Sequence, residues 1–186
     1  MKIGVISDTH GCPDTWRKVF ERYFRNADLI IHAGDVLYHG PRNAIPAEYD
    51  PKALAEELNR CPVPILAARG NCDAEVDDMV LDVPVQAPYA YAMLEGLGVV
   101  VNHGHTLDET AMVRLARKMK AGLLVFGHSH VPHLVKKDGV VLLNPGAPAQ
   151  SMSKRSDKRG TIGVINGGAV QILAVDNGDV LAREEL

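Results

Sequence analysis

Met1-Lys2-Ile3-Gly4-Val5-Ile6-Ser7-Asp8-Thr9-His10 opens the chain with a short apolar run that stops at two metal-capable side chains two residues apart. Lys2 to Ser7 reads as a strand, and the Asp and His fall directly after its carboxyl end. Pro13 and Asp14 then start a helix in which Trp16, Val19, Phe20, Tyr23 and Phe24 recur at i, i+3, i+4, i+7 and i+8, one apolar face. Asp28 to Ala33 is the next predicted strand. Beyond a loop rich in Gly, Pro and Asn, Asp50 and Pro51 have the character of an N-cap and a first helical residue, with Leu54 and Leu58 one turn apart. Pro62 to Ala68 returns to strand. Strands alternating with helices imply βαβ units and a parallel sheet.

The pattern changes near Val80, where a second sheet is expected to begin. Tyr89 to Leu94 and Gly98 to Asn102 flank Glu95-Gly96-Leu97-Gly98 in the manner of a hairpin. Thr106 and Glu109 have capping-box spacing ahead of a helix that turns Met112, Leu115, Ala116 and Met119 inward and Arg114, Arg117, Lys118 and Lys120 to water. Strands follow over Leu123–Phe126, Val131–Lys136, Val140–Leu143, Thr161–Ile165, Val170–Val175 and Val180–Arg183. With 186 residues, no internal repeat and no clear linker, residues 1–186 are expected to form one domain.

Composition narrows the function classes. The apolar share of 46% and charged share of 23% suit an ordinary soluble protein. A net charge of −3 gives no basic footprint for a phosphate backbone, so no nucleic-acid partner is expected. No run approaches the length needed to span a bilayer, and no membrane association is expected. A cytoplasmic location follows, and Cys12, Cys61 and Cys72, odd in number and irregular in spacing, suit reduced thiols.

The chemistry lies where polar residues meet strand ends. Asp8 and His10 follow the first strand, Gly34-Asp35 the second and Gly70-Asn71-Cys72-Asp73 the third; His103-Gly104-His105 and Gly127-His128-Ser129-His130 follow two more. Singly, an Asp-x-His or a Gly-Asp is as well explained by a capped turn, and Gly-Asn-Cys-Asp by an Asx-turn. Two imidazoles two residues apart after an apolar strand bring no folding benefit, and five such segments together point to one crevice at converging strand ends. The Asp, Asn and His donors suit Mn²⁺, Fe²⁺ or Zn²⁺, and seven of them suit two ions sharing one carboxylate. His32, inside an apolar strand, reads as a satisfied core residue, and His39 and His133 as surface or edge positions.

In this order the segments D-x-H, G-D, G-N-x-D, H-G-H and G-H-x-H resemble the calcineurin-like metallophosphoesterase superfamily over essentially the whole chain. Gly34-Asp35-Val36-Leu37, His39-Gly40-Pro41-Arg42-Asn43, the stretch Arg69 to Asp77 and Asn144-Pro145-Gly146 are similar to the small bacterial YfcE-type phosphodiesterases. The resemblance implies an α/β fold, a four-layer α/β/β/α sandwich of two mixed sheets with metals at the edge between them. It implies Asp8, His10, Asp35 and His130 as ligands of one ion and Asp35, Asn71, His103 and His128 as ligands of a second, with Asp35 bridging. The choice of His103 over His105 rests wholly on it.

The expected activity is hydrolysis of a small phosphodiester by direct attack of a metal-bridging hydroxide, without a covalent intermediate. Two ions about 3.5 to 4 Å apart would stabilise both attacking and leaving oxygens. Asp35, Asn71 and His105 are the expected catalytic residues, Asp73 an orienting one. Mn²⁺ is the favoured cofactor, with Zn²⁺, Fe²⁺ and Ni²⁺ as alternatives, and a homo-oligomer is left open. Arg42, Asn43 and Arg69 are candidate phosphate contacts, although Arg69 could simply brace its turn. Many superfamily members carry a histidine where this chain has Cys72, a departure the YfcE-like subgroup shares and one that favours good leaving groups. The alternative is a protein-binding module like the retromer scaffold subunit, which resembles the same fold; the filled ligand positions favour an enzyme.

Overall fold

The computed structural model describes all of residues 1–186. Two mixed sheets stack face to face. The first contains β1 (Lys2–Ile6), β2 (Leu29–His32), β3 (Ile65–Ala68), β4 (Val85–Gln86), β10 (Thr161–Asn166), β11 (Ala169–Ala174) and β12 (Val180–Glu185), in the order β12-β11-β10-β1-β2-β3-β4. The second contains β5 (Ala90–Leu94), β6 (Leu97–Val101), β7 (Leu123–Val125), β8 (His133–Lys137) and β9 (Val140–Asn144), in the order β5-β6-β7-β9-β8. Strands β1 to β4 run parallel, as do β6, β7 and β9, while β10 to β12, β5 and β8 pair antiparallel with their neighbours.

The period-2 alternation of strand side chains builds the layers. Ile3, Val5, Ile31 and Ala33 of the first sheet meet Val99, Val101, Leu123, Val125, Val141 and Leu143 of the second in one central core. Their neighbours in sequence point outward. Ile6 and Ile30 pack under α1 (Pro13–Val19) and α2 (Pro51–Asn59), and Val100, Leu124, Val140 and Leu142 pack under α3 (Glu109–Lys118). The result is the expected α/β/β/α sandwich. No helix is long and apolar enough to cross a membrane.

Asp50 caps α2 as expected, its Oδ1 accepting from Ala53 N at 2.9 Å with Pro51 at the first helical position. The expected amphipathic helix after Pro13 is interrupted: α1 widens into a π turn over Phe20–Phe24, closed by Arg25 N donating to Phe20 O at 2.8 Å. That turn seats the Phe24 ring over β1, where a Cβ on Gly4 would come within 2.5 Å of it.

The second sheet begins at Ala90, within the expected Tyr89–Leu94 strand, while β4 still adds to the first sheet and β10 to β12 return to it. Two expectations are corrected. The hairpin turn is shorter than four residues: Glu95 and Gly96 alone connect β5 to β6, both at positive φ (48° and 85°), the backbone that matches strand twist. At α3 the cap is Asp108 rather than Thr106; its Oδ1 accepts from Ala111 N at 2.8 Å, and no capping box forms. A carboxylate one residue before the first helical turn also meets the positive end of the helix dipole, which the Thr106 hydroxyl two residues further out does not.

This assignment makes Asp108→Ala cost about 1 kcal/mol in urea unfolding, the usual value of a lost N-cap. Thr106→Ala should be close to neutral, and a larger loss at Thr106 than at Asp108 would reverse the assignment.

Candidate metal centre

The parallel strands β1, β2 and β3 of one sheet and β6 and β7 of the other all end at the same edge of the sandwich. Asp8, Asp35, Asn71, His103 and His128 leave those strand ends, and His10 and His130 follow two residues after Asp8 and His128. The two sheets are tied together at this point: His103 Nδ1 donates to Ala33 O at 2.7 Å, and His128 N donates to Asp8 Oδ2 at 3.1 Å.

Three imidazoles share one arrangement. His10 Nδ1 donates to Tyr38 O at 2.7 Å, His103 Nδ1 to Ala33 O at 2.7 Å and His130 Nδ1 to Met152 O at 2.8 Å. A carbonyl can only accept, so each ring carries its proton on Nδ1 and turns Nε2 inward. The three Nε2 atoms converge on two buried carboxylates. His130 Nε2 lies 3.3 Å from Asp8 Oδ1, His103 Nε2 3.2 Å from Asp35 Oδ2, and His10 Nε2 3.8 Å from an oxygen of each. His10 Nε2 and His130 Nε2 are themselves 3.1 Å apart, too close for two bare lone pairs.

These atoms fit a cation. Donors sharing an ion at about 2.1 Å lie about 3.0 to 3.4 Å from one another. His103 Nε2, fully buried, faces no polar group except the Asp8 and Asp35 carboxylates. Two sets, Asp8 with His10 and His130, and Asp8 with Asp35 and His103, each bring their donor atoms within 4.8 Å. Cys72 Sγ reaches the same distance from His10 and Asp35, a neighbour that motif reading set aside.

Electrostatics lead to the same conclusion. Burial pushes the Asp8 carboxyl up, but contact with His130 and the charge of His103 outweigh it and hold the group below its usual range. Asp35 is likewise driven up by burial and held well down by His103. His103 in turn is pushed down by burial and more strongly up by Asp35 and Asp8, to about 9, and His130 is raised by Asp8 in the same way. For His10 burial prevails, and its pKa falls.

The remaining expected residues surround this centre. Asn71 and His128 line a cleft of about 770 Å³ with Asp35, His130, Arg42 and Lys154. The His128 ring lies 5.3 Å from that of His103. His105 is exposed, its ring 5.5 Å from that of the buried His103 and 6.0 Å from that of His128. Asp73 accepts from Asp35 N at 2.9 Å, Val36 N at 2.7 Å and Gly70 N at 2.7 Å, tying the second and third loops together. Arg69 pairs with Asp78 at 3.0 Å outside the cleft and braces its turn.

His32 is the satisfied core residue expected. Gly34 N donates to its Nδ1, so Nε2 donates to Thr9 Oγ1, which donates on to Val36 O. Residues that motif reading missed are Ala33, Tyr38 and Met152, whose carbonyls set the histidines, and Asn144, which donates to Gly127 O at 2.7 Å and steadies the His128 turn. A backbone carbonyl leaves no mark on residue identity; Asn144 was noted only within Asn144-Pro145-Gly146.

The profile of the calcineurin-like phosphoesterase superfamily domain matches residues 1–168. Phosphodiesterase YfcE of Escherichia coli K12 is 32% identical over 184 residues, covering 98% of this chain and 97% of that protein. A probable metallophosphoesterase of Methanothermobacter thermautotrophicus is 32% identical over 154 residues, covering 80% of this chain and 77% of its own. The solved structure of Yfce, a phosphoesterase from E. coli, superposes with a TM-score of 0.82 at 29% identity, covering 100% and 99% of the two chains. Vacuolar Protein Sorting 29 from Cryptosporidium parvum shares the fold, with a TM-score of 0.71 at 18% identity over 100% and 97%.

In the metal-free protein, His103 with a pKa of about 9 carries a proton at pH 7 on the atom a metal would need. Loading with Mn²⁺ should therefore release at least one proton, and apparent affinity should rise about tenfold per pH unit per proton displaced, levelling off above about 9. Calorimetry at pH 7 in buffers of different ionisation enthalpy reads this directly. Heats independent of the buffer would show that no proton leaves.

Proposed function

Because the chain belongs to the calcineurin-like phosphoesterase superfamily and is a hydrolase of phosphoric esters, we propose that it is a dinuclear metal-dependent phosphodiesterase. The observation that carries this reading is the convergence of three Nδ1-anchored histidines on two buried carboxylates. Asp8, His10, Asp35 and His130 would hold one divalent ion and Asp35, Asn71, His103 and His128 the other, with Asp35 shared. Such ions, when bound, lower the pKa of water and polarise phosphoryl oxygens.

The protein's part is positioning. The carbonyls of Tyr38, Ala33 and Met152 fix the ring orientations, and Asp73 holds the Asp35 loop against the Asn71 loop, so donors are aimed before anything binds. Asn71 would orient a phosphoryl oxygen through its side-chain amide, and the exposed His105, its ring 6.0 Å from that of His128, would contact the substrate. Arg42 and Lys154, neither of them in an ion pair, supply positive charge along the cleft wall. The chain would act as a single cytoplasmic domain on a small phosphodiester. The likeness to retromer scaffold proteins is one of fold, and the complete donor set favours hydrolysis over a purely protein-binding role.

Cys72 is a poor proton donor: burial, and after it the charge of Asp35, push its thiol up to about 12. Its backbone N donates to Asp35 Oδ1 at 2.8 Å, a structural task that does not need the sulfur.

Chelation should abolish hydrolysis of a chromogenic aryl diester, and Mn²⁺ should restore it better than Mg²⁺, since imidazole donors suit the softer ion. Asp35→Asn should lower turnover by at least about a hundredfold, beyond the roughly 10- to 100-fold expected of an outer-shell partner. It should also bind fewer metals while keeping the native circular dichroism. Near-normal turnover with two metals retained would end the shared-carboxylate assignment.

Cys72→Ser should change kcat/KM on an aryl diester by less than about threefold, because phenolate leaves without a proton, whereas a true general acid contributes about 10² to 10⁴. Aryl diesters should also be strongly preferred over alkyl monoesters. A hundredfold loss in Cys72→Ser with metal content unchanged would assign the thiol a catalytic role.

A further inference from the structure

Beside the metal cleft lies a second groove of about 610 Å³, and Tyr38 and Cys72 line both. Its lining is largely apolar and includes Leu37, Tyr38, Tyr49, Ala55 of α2, Val76 and Val80. Three of these side chains stay open to solvent, Tyr38 at 42%, Val76 at 60% and Val80 at 51%. Apolar surface left exposed and gathered around a groove marks a binding site more often than a single exposed residue does.

Hydrogen bonds tie the groove's lining together. Val76 belongs to a 3₁₀ turn, Glu75–Met79, pinned by the buried Asp77, whose Oδ2 accepts from Ala74 N at 2.9 Å. Val80 N and Leu81 N both donate to Asp77 O. Asn59, the last residue of α2, donates to Val80 O at 2.8 Å and accepts from Asp82 N at 2.8 Å, which locks the two walls together. A preformed groove spends little binding energy on ordering itself.

We propose that this groove receives one bulky apolar arm, aromatic or alkyl, of the phosphodiester whose phosphoryl group sits at the metal centre. The inference rests on the reading of that centre as a phosphodiesterase site. Adjacency to the cleft argues for this occupant: the groove and the cleft share Tyr38 and Cys72, so a diester with its phosphoryl group beside Asp35 and Asn71 would direct one arm toward Tyr49, Ala55, Val76 and Val80. The surroundings fit an uncharged arm. Lys52, Glu56 and Asn59 lie on the α2 side and Asp77 is committed to its turn, so neither a clustered positive charge nor a set of free donors is present to select a charged one. Substrates with two small alkyl groups leave this surface wet and should bind weakly.

Methylphosphonate, phenylphosphonate and octylphosphonate, each with a single arm, test the idea by calorimetry on the Mn²⁺-loaded protein. Each methylene buried is worth roughly a factor of four in affinity, so octylphosphonate should bind at least tenfold more tightly than methylphosphonate. Val76→Asp combined with Val80→Asp, both at exposed positions, should remove that gain and leave methylphosphonate affinity unchanged. Turnover of a diester carrying an octyl arm should fall through KM rather than kcat in the same variant. Equal affinity for the methyl and octyl ligands would overturn the groove assignment while leaving the metal centre in place. Failure of every phosphonate to bind would instead overturn the reading of the metal centre. If sedimentation showed the wild type to be a dimer that the variant dissolves, the groove would be an interface between copies and the inference would be wrong.

Discussion

The constraint on which the rest of the structure depends is the burial of two carboxylates, Asp8 and Asp35, at one edge of the sandwich. An ionised carboxylate taken out of water carries a penalty of several kcal/mol, and a second beside it adds repulsion. Only positive charge and directed donors offset this. The protein supplies backbone N–H groups from His128 and Cys72 and surrounds the pair with imidazoles whose outward nitrogens are already engaged. A proton on His103 meets part of the demand; a divalent ion meets it better. The site's affinity for cations is therefore a property of the fold rather than of any one ligand.

Holding that arrangement strains the backbone. Of nine non-glycine residues at positive φ, five are expected ligands: Asp8 (56°), His10 (45°), Asp35 (59°), His128 (69°) and His130 (56°). Such conformations cost of order 1 to 3 kcal/mol each and persist only where the surroundings over-determine them. Here the strands immediately before them do so, since β1, β2 and β7 are almost wholly buried and hydrogen-bonded on both sides. A left-handed residue reverses the chain, so the turns at Asp8, Asp35 and His128, two to three residues past the strand ends, send the backbone back toward the neighbouring loops.

The candidate ligand positions stand out in the sequence because they sit where an apolar run stops, a signal that survives without tertiary information. The sheet layers were legible in part. Period-2 alternation gives faces but not partners, so nothing in Thr161 to Glu185 distinguishes return to the first sheet from extension of the second. The π turn at Phe20 was hidden for a related reason: Trp16, Val19, Phe20, Tyr23 and Phe24 fit an uninterrupted α-helix equally well, and the clearance at Gly4 that favours the wider turn comes from another element. The Thr106–Glu109 spacing drew the cap to the wrong residue, because the hydrogen bond from Ala111 N to Asp108 shows only in the folded chain. His103 and His105 are chemically identical and one glycine apart; the carbonyl of Ala33, 70 positions earlier, separates them.

The glycines of the Gly-Asp, Gly-Asn and Gly-His segments follow from the same crowding. A Cβ on Gly34 would come within 2.5 Å of Gly70 N, one on Gly70 would overlap the Asp35 carboxylate, and one on Gly127 would overlap Ser7 Oγ and approach Asp8 Oδ2 at 2.7 Å. Gly34 also needs its φ of 96°, but Gly70 and Gly127 do not lie in the left-handed region, so their requirement is space. Each of these three glycines stands beside a residue of a neighbouring loop. The loops can pack so closely only because the residue before Asp35, Asn71 and His128 has no side chain, and that closeness gathers side-chain oxygens and nitrogens from several strand ends at one edge. The motif spacing thus records an approach between backbones, and the donor identities record what that approach was made to hold.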